Sequence, residues 1–133
     1  MNRFRTAALA MLAVTSSAAL AQRAPAQCDR ACLIKMVDTY LAAVVAHDPS
    51  RAPVAADVKF VEDIVPMKPG EGLWKTASEA PTTFKIFVAD PTSGQVGFFG
   101  VMKQWDKPII LASRLKVVGG KITEIENVTA GAL

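Results

Sequence analysis

The sequence is poor in the residues that most often carry chemistry. One histidine, His47, and two cysteines stand in 133 residues. No group of histidines, cysteines and carboxylates has metal-ligand spacing, so no metal and no cofactor are expected. No glycine-rich loop follows a strand, which excludes a phosphate cradle of the nucleotide-binding kind. No serine stands in a Gly-x-Ser-x-Gly setting, and no second histidine is at hand, so a hydrolytic triad has no support. Charge of one sign is scarce too. The formal net charge is +3, from 15 basic and 12 acidic residues. Setting aside Arg3 and Arg5 leaves 13 against 12, and the remaining lysines and arginines are scattered singly. No basic stripe is left to meet phosphates, so nucleic acid is not an expected partner.

What is present begins with a single long apolar run. Met1–Ala21 starts basic, continues uncharged from Thr6 to Leu20, and ends in the small-x-small pattern Ala19-Leu20-Ala21. This is the form of a secretory signal peptide cleaved before Gln22. Cleavage after Ala26 is the alternative, because Ala24-Pro25-Ala26 has the same shape. The run is short for a bilayer span, which needs about 20 strongly apolar residues, so no stable membrane span is expected after processing. The expected location is secreted or periplasmic. Export puts Cys28 and Cys32 in an oxidising compartment. Four residues apart at a helix start, they come within disulfide range if the first turn distorts, and a disulfide pinning that turn is the favoured reading. A thiol redox motif is disfavoured, because it has two intervening residues rather than three.

After a leader over 22–28, residues 29–128 read as one domain, with 129–133 as a loose tail. An amphipathic helix is expected from about Asp29 to His47, with Cys32, Leu33, Met36, Val37, Tyr40, Leu41, Val44 and Val45 at spacings of three and four. Asp48-Pro49 stops it. Ser50–Ala56 reads as a turn and Asp57–Asp63 as a strand. Pro66–Gly72 reads as a loop and Leu73–Ser78 as a short helix carrying Trp74. Thr83–Val128 then forms a meander of four strands. Its turns fall at Asp90–Gly94, at Asp106-Lys107-Pro108 and at Gly119-Gly120, where a two-residue hairpin needs positive φ. A helix followed by an antiparallel meander is an α+β pattern, with a curved sheet and a helix to cover its hollow.

Several segments carry a resemblance. Tyr40-Leu-Ala-Ala-Val-Val-Ala-His47-Asp48, Ala56-Asp57-Val-Lys-Phe60-Val-Glu62-Asp63, Gly72-Leu-Trp74 and Gly119-Gly120-Lys121-Ile122-Thr-Glu-Ile125 resemble a SnoaL-like domain of the nuclear transport factor 2-like superfamily. The resemblance spans nearly all of Asp29–Val128. It implies a cone of bent antiparallel sheet roofed by the N-terminal helix, the nuclear transport factor 2-like or cystatin-like roll. More distantly the chain is similar to ketosteroid isomerases. On that similarity Asp63 falls at the general base and Tyr40 at the donor to the enolate oxygen. Proton abstraction next to a carbonyl needs such a pair, a carboxylate in a dry site and a donor where negative charge develops. Ser113 stands where those enzymes place a protonated acid, and it offers none.

Which carboxylate points inward is open from alternation alone. Phe60 favours Glu62, and a bulge would favour Asp63. The expected ligand-contacting set is Tyr40, Phe60, Glu62, Trp74, Phe87, Phe99 and Ser113. His47 is expected at the helix C-terminus. Asn127-Val128-Thr129 fits a glycosylation acceptor, relevant only to a eukaryotic secretory route. Three functions remain: a hydrophobic pocket for an apolar carbonyl-bearing small molecule, an isomerase or cyclase using Asp63 and Tyr40, and a non-catalytic domain that pairs as a homodimer.

Overall fold

The computed structural model describes residues 27–131. The expected signal peptide, both cleavage points and most of the leader lie outside the described residues, as do Ala132 and Leu133.

Helix α1 runs Arg30–Val45. It starts there because the Asp29 carboxylate accepts the Cys32 backbone N–H at 2.9 Å, satisfying one of the free donors of the first turn. Cys28 and Cys32 form the expected disulfide, with their Cα atoms 5.2 Å apart. Gln27 is tied as well, through its side-chain amide to the Pro91 carbonyl. The helix buries Leu33, Val37, Tyr40, Leu41 and Val44 of the predicted stripe and leaves Met36 half-buried against the core. It ends two residues before the predicted stop, at a cap on Ala46, and His47 takes a left-handed φ of 55°. A 3₁₀ turn, Pro49–Arg51, follows.

The strands are β1 (Val54–Glu62), β2 (Val65–Met67), β3 (Ala77–Glu79), β4 (Lys85–Asp90), β5 (Gln95–Gln104), β6 (Lys107–Val118) and β7 (Lys121–Gly131). A short helix α2, Leu73–Thr76, precedes β3. They form one curled, antiparallel-dominated half-barrel in the order β2-β1-β7-β6-β5-β3, with β4 also paired to β5. Only the β1–β7 pairing is parallel among the described strands. Long β5, β6 and β7 alternate buried and exposed residues, as strands must when one face meets a core and the other water. The concave face buries Val96, Phe98, Leu111, Leu115, Ile122 and Ile125, and α1 lies across it. The α+β cone and its roof are therefore as expected.

Besides strands β2 and β3, which fall in the expected loop Pro66–Gly72 and at the end of the expected short helix Leu73–Ser78, three details differ from expectation. Gly119 and Gly120 do form the tight turn, with φ of 56° and 76°. The preceding hairpin, however, turns on Trp105-Asp106, both at positive φ, and Lys107 and Pro108 already belong to β6. Second, β1 begins at Val54, inside the expected turn. Third, Thr129–Gly131 is not loose tail. It continues β7, paired with Leu111, Ile110 and Ile109.

Candidate functional site

One row of residues crosses the concave face. Phe87, Phe98, Ser113, Asn127 and Glu62 are cross-strand neighbours on β4, β5, β6, β7 and β1 in turn. Three of the five are polar, and they are the buried polar side chains of the described core: Glu62 at 5 % exposure, Ser113 at 5 % and Asn127 at 2 %. The next row, Phe60, Ile125, Leu115 and Val96, is wholly apolar.

The polar three meet Tyr40, which comes down from α1. Ser113 Oγ donates to Asn127 Oδ1 at 2.9 Å. Asn127 Nδ2 donates to Tyr40 Oη at 2.8 Å and to Glu62 Oε2 at 3.2 Å. The other Glu62 oxygen accepts the Leu73 backbone N–H at 2.8 Å. No cation lies within ion-pair distance of Glu62 among the described residues. Burial pushes the Glu62 carboxyl above its usual range, with the bonds from Asn127 and Leu73 opposing that and the nearby Asp63 charge adding to it. Burial likewise drives the Tyr40 phenol far up, opposed by Asn127 and reinforced by the Glu62 charge. Tyr40 is therefore a hydroxyl at any physiological pH.

The segment Gly70–Thr76 closes over this cluster. Gly72, at φ 60° and ψ −128°, passes so near the carboxylate that a Cβ there would sit 2.4 Å from Glu62 Oε1 and 2.7 Å from Met67 Sδ. Trp74 is buried and meets the Tyr40 ring edge-on, centroids 5.5 Å apart. Its indole Nε1 is buried with no partner among the described residues. Outside, His47 Nδ1–H donates to the Trp74 carbonyl at 2.6 Å, tying the segment to the end of α1. His47 thus sits just past the helix terminus, but its ring meets the Trp74 carbonyl rather than the helix's own carbonyl ends, and it latches the cover.

The expected site residues divide. Tyr40, Phe60, Glu62, Trp74, Phe87 and Ser113 all face the concave interior or pack against its core. Asp63 does not, and its placement as the base is corrected. The strand ends at Glu62 and Asp63 enters a two-residue turn with Ile64, at φ 48° and 65°. The Asp63 carboxylate then accepts from Thr129 N at 2.8 Å and Thr129 Oγ1 at 2.6 Å on the exposed side. Plain alternation from Phe60 gave the right inward residue, and no bulge reversed it. Phe99 is also corrected. It lies on the outer face at 40 % exposure, stacked edge-on with Phe84. The expected open pocket beneath α1 is closed as well: Tyr40, Leu73 and Trp74 retain 0–1 % exposure. Surface clefts are found elsewhere, one of about 460 Å³ between Cys28, Gly94 and Gly120 and one of about 280 Å³ beside Trp105.

Asn127 was not among the expected residues. Its signal was parity with Ile125 along β7, masked by its reading as a glycosylation acceptor; at 2 % exposure it is not available as one in the folded chain.

Residues 26–129 match the family model described as a domain of unknown function, DUF8021. The chain belongs to the DUF8021 family. No curated protein matches the sequence. Among solved structures, a protein of unknown function with cystatin-like fold from Methylobium petroleophilum superposes with a TM-score of 0.61 at 15% identity, covering 80% of this chain and 81% of that one. An NTF2-like protein of unknown function from Cytophaga hutchinsonii gives 0.58 at 12% identity, over 74% and 89%. A Catenulispora acidiphila protein with ketosteroid isomerase-like fold, in complex with trimethylamine, gives 0.51 at 15% identity, over 70% and 83%. At these identities the likeness is one of fold. This DUF8021 chain has the nuclear transport factor 2-like, cystatin-like architecture expected of it.

Proposed function

We propose that this DUF8021 domain is an exported small-molecule-binding domain, and that its ligand is apolar and bears a carbonyl. The SnoaL-like resemblance points the same way. The observation that carries the reading is Glu62. An acid held at 5 % exposure without a cation is costly to keep in an apolar core. Such a group in a concavity, with its proton affinity raised by burial, is a functional-site signature. The site under α1 is closed in this conformation, so the ligand reaches Tyr40, Asn127 and Glu62 only when Gly70–Thr76 swings away and opens it. The trimethylamine complex of the Catenulispora protein supports a small-molecule role for this fold.

A second reading is proton transfer, favoured by the same acid beside the Tyr40 hydroxyl. Glu62 takes a proton from the carbon next to the carbonyl, the electron pair moves to the carbonyl oxygen, and Tyr40 O–H donates to the resulting enolate. One experiment treats both. The protein is titrated with 2-acetylnaphthalene in D₂O and followed by NMR. Shifts at Tyr40, Glu62, Trp74 and Asn127 support binding inside. Shifts confined to the outer face overturn it. Deuterium entering the methyl group of the ketone, slowed by about 10² or more in Glu62→Gln, establishes the proton transfer; binding without exchange removes it.

We also propose that the outer sheet face pairs two copies. Ile86, Phe99 and Val128 lie exposed in one row with Ala112, and Val101 and Ile110 in the next. Contiguous apolar area of this kind marks an interaction surface.

A further inference from the structure

Helix α1 ends in a motif that suits glycine. Asp48 N–H donates to the Ala43 carbonyl at 3.1 Å and His47 N–H to the Val44 carbonyl at 3.0 Å, which puts His47 at the left-handed position of the cap. Glycine fills that position without steric cost. A histidine there is strained, and strain is kept where it serves something else. The ring serves α2. The last carbonyls of a helix have no partner within it. In α2, Leu73 O accepts from Ala77 N and Thr76 O from Trp105 N. Trp74 O accepts from His47 Nδ1 at 2.6 Å. His47 therefore caps the short helix of the cover from the end of another helix.

The cover is fastened unevenly. Its C-terminal end is joined to β5. Thr76 O accepts from Trp105 N at 2.9 Å, Gln104 Nε2 donates to Thr76 Oγ1 at 2.8 Å, and β3 pairs with β5 directly afterwards. Between Gly70 and Trp74, by contrast, two hydrogen bonds leave the stretch Lys68–Ala77 among the described residues: Leu73 N–H to Glu62 Oε1, and His47 Nδ1–H to Trp74 O. Gly70 and Gly72 stand at φ 94° and 60°, where glycine has the freedom a hinge needs. The Glu62 bond lies inside, on the acid that faces the ligand. The His47 bond lies at the surface, clear of the interior. We propose that His47 is a positioning residue that latches Trp74 over the interior, so that breaking its one bond lets Gly70–Lys75 pivot about Thr76 and sets how fast a ligand enters and leaves. The entry role rests on reading the interior as a ligand site; the latch does not.

The test compares wild type with His47→Gly, which keeps the left-handed cap of α1 and removes the ring. Amide hydrogen exchange is followed first, by NMR and without ligand. Exchange at Leu73, Trp74 and Lys75 is expected to be faster by about five- to tenfold, the scale of one hydrogen bond. The amides of β6 and β7 should be unchanged and the urea midpoint close to that of wild type. Unchanged exchange at those three residues overturns the latch. Exchange raised evenly across the sheet, with a lowered midpoint, overturns it as well and leaves His47 a part of the general fold. Stopped-flow binding of 2-acetylnaphthalene then reads the entry role. Association and dissociation should quicken together by about the same factor, with Kd within about twofold, because the ring acts on closing and touches no ligand atom. Unchanged rates, with faster exchange in the cover, overturn the entry role. A weakened Kd with unchanged association overturns it too. Absence of binding by both proteins overturns the ligand site, and the exchange result still decides the latch.

Discussion

Ser113 and Arg114 are neighbours on β6, and Asn127 and Glu126 are neighbours on β7. The first of each pair faces the hollow and the second faces water, on adjoining rungs of the same ladder. Outside, Arg114 Nε meets Glu126 Oε2 at 2.8 Å and Arg114 Nη2 meets Glu124 Oε2 at 2.9 Å. Hydrogen bonds from Arg114 hold both carboxyls below their usual range. Inside, Glu62 has no cation and its carboxyl is pushed up. Charge that is fully paired lies where pairing is worth least, in solvent. Charge that is unpaired lies where a partner would be worth most. A stability-driven arrangement would be the reverse, and that inversion sets the concave side apart as the functional one.

The largest test of this contrast is a pair of adjacent substitutions. Asn127→Ala strips a donor from Glu62 and from Tyr40 and an acceptor from Ser113, all buried. It should cost about 2–4 kcal/mol, by the usual penalty for buried groups left unsatisfied. Glu126→Ala removes an exposed ion pair and should cost under about 1 kcal/mol. Urea denaturation reads both as midpoint shifts at constant slope. Equal costs would erase the distinction between the faces.

A smaller effect, of opposite sign on the two sides, is the response to pH. The folded chain holds the Glu62 proton to higher pH than the unfolded chain does. That contribution is fully present below the ordinary carboxyl value of 4.5 and is lost as pH rises toward the raised one. Glu124 and Glu126 are depressed, so their contribution is present above 4.5 and is lost as pH falls through the lowered values. Relative to wild type, Glu62→Gln should therefore gain stability as pH climbs above 4.5. Arg114→Gln should lose its deficit as pH falls below it, a change kept small by solvent screening. Melting temperatures of the three proteins across that range check both signs. A Glu62→Gln curve parallel to wild type would show a carboxyl that is not perturbed.

How much of this was legible in the sequence follows from what each feature depends on. The helix, the Gly119-Gly120 turn and the strand alternation are local, and they sufficed for the cone. Tyr40 and Phe60 could be placed by periodicity within one element, whereas Ser113 came from the resemblance to ketosteroid isomerases and Trp74 from its position after the glycine loop. Phe99 could not, because Phe98 and Phe99 are adjacent and composition does not say which faces in. Asn127 opposite Ser113 is a matter of register between strands. A plain two-residue turn at Gly119-Gly120 pairs Ser113 with Glu126. The irregularity between Lys116 and Val117 moves the pairing by one residue and brings Asn127 opposite instead. Asp63 was misplaced for a related reason. Ile64 stands at φ 65° in the turn, a conformation that a β-branched residue rarely adopts, and nothing in its side chain announces a hairpin.

The smallest effect on stability belongs to the apolar part of the outer face. Ile86 and Val128 are 48 % and 59 % exposed, so exchanging either for lysine removes little buried area in the isolated chain. Ile86→Lys and Val128→Lys should each stay within about 0.5 kcal/mol of the wild-type monomer. If two copies pair through this face, the same lysines sit in the centre of a self-complementary contact. There each substitution meets its symmetry mate and counts twice. Light scattering coupled to size exclusion should then give a wild-type dimer and a monomer for either variant, with thermal unfolding of the variants no longer dependent on protein concentration. A wild-type monomer across the micromolar range would end the pairing proposal. It would leave the inner row, Glu62 to Ser113, untouched, because nothing that holds that row together reaches through the sheet to the side these lysines occupy.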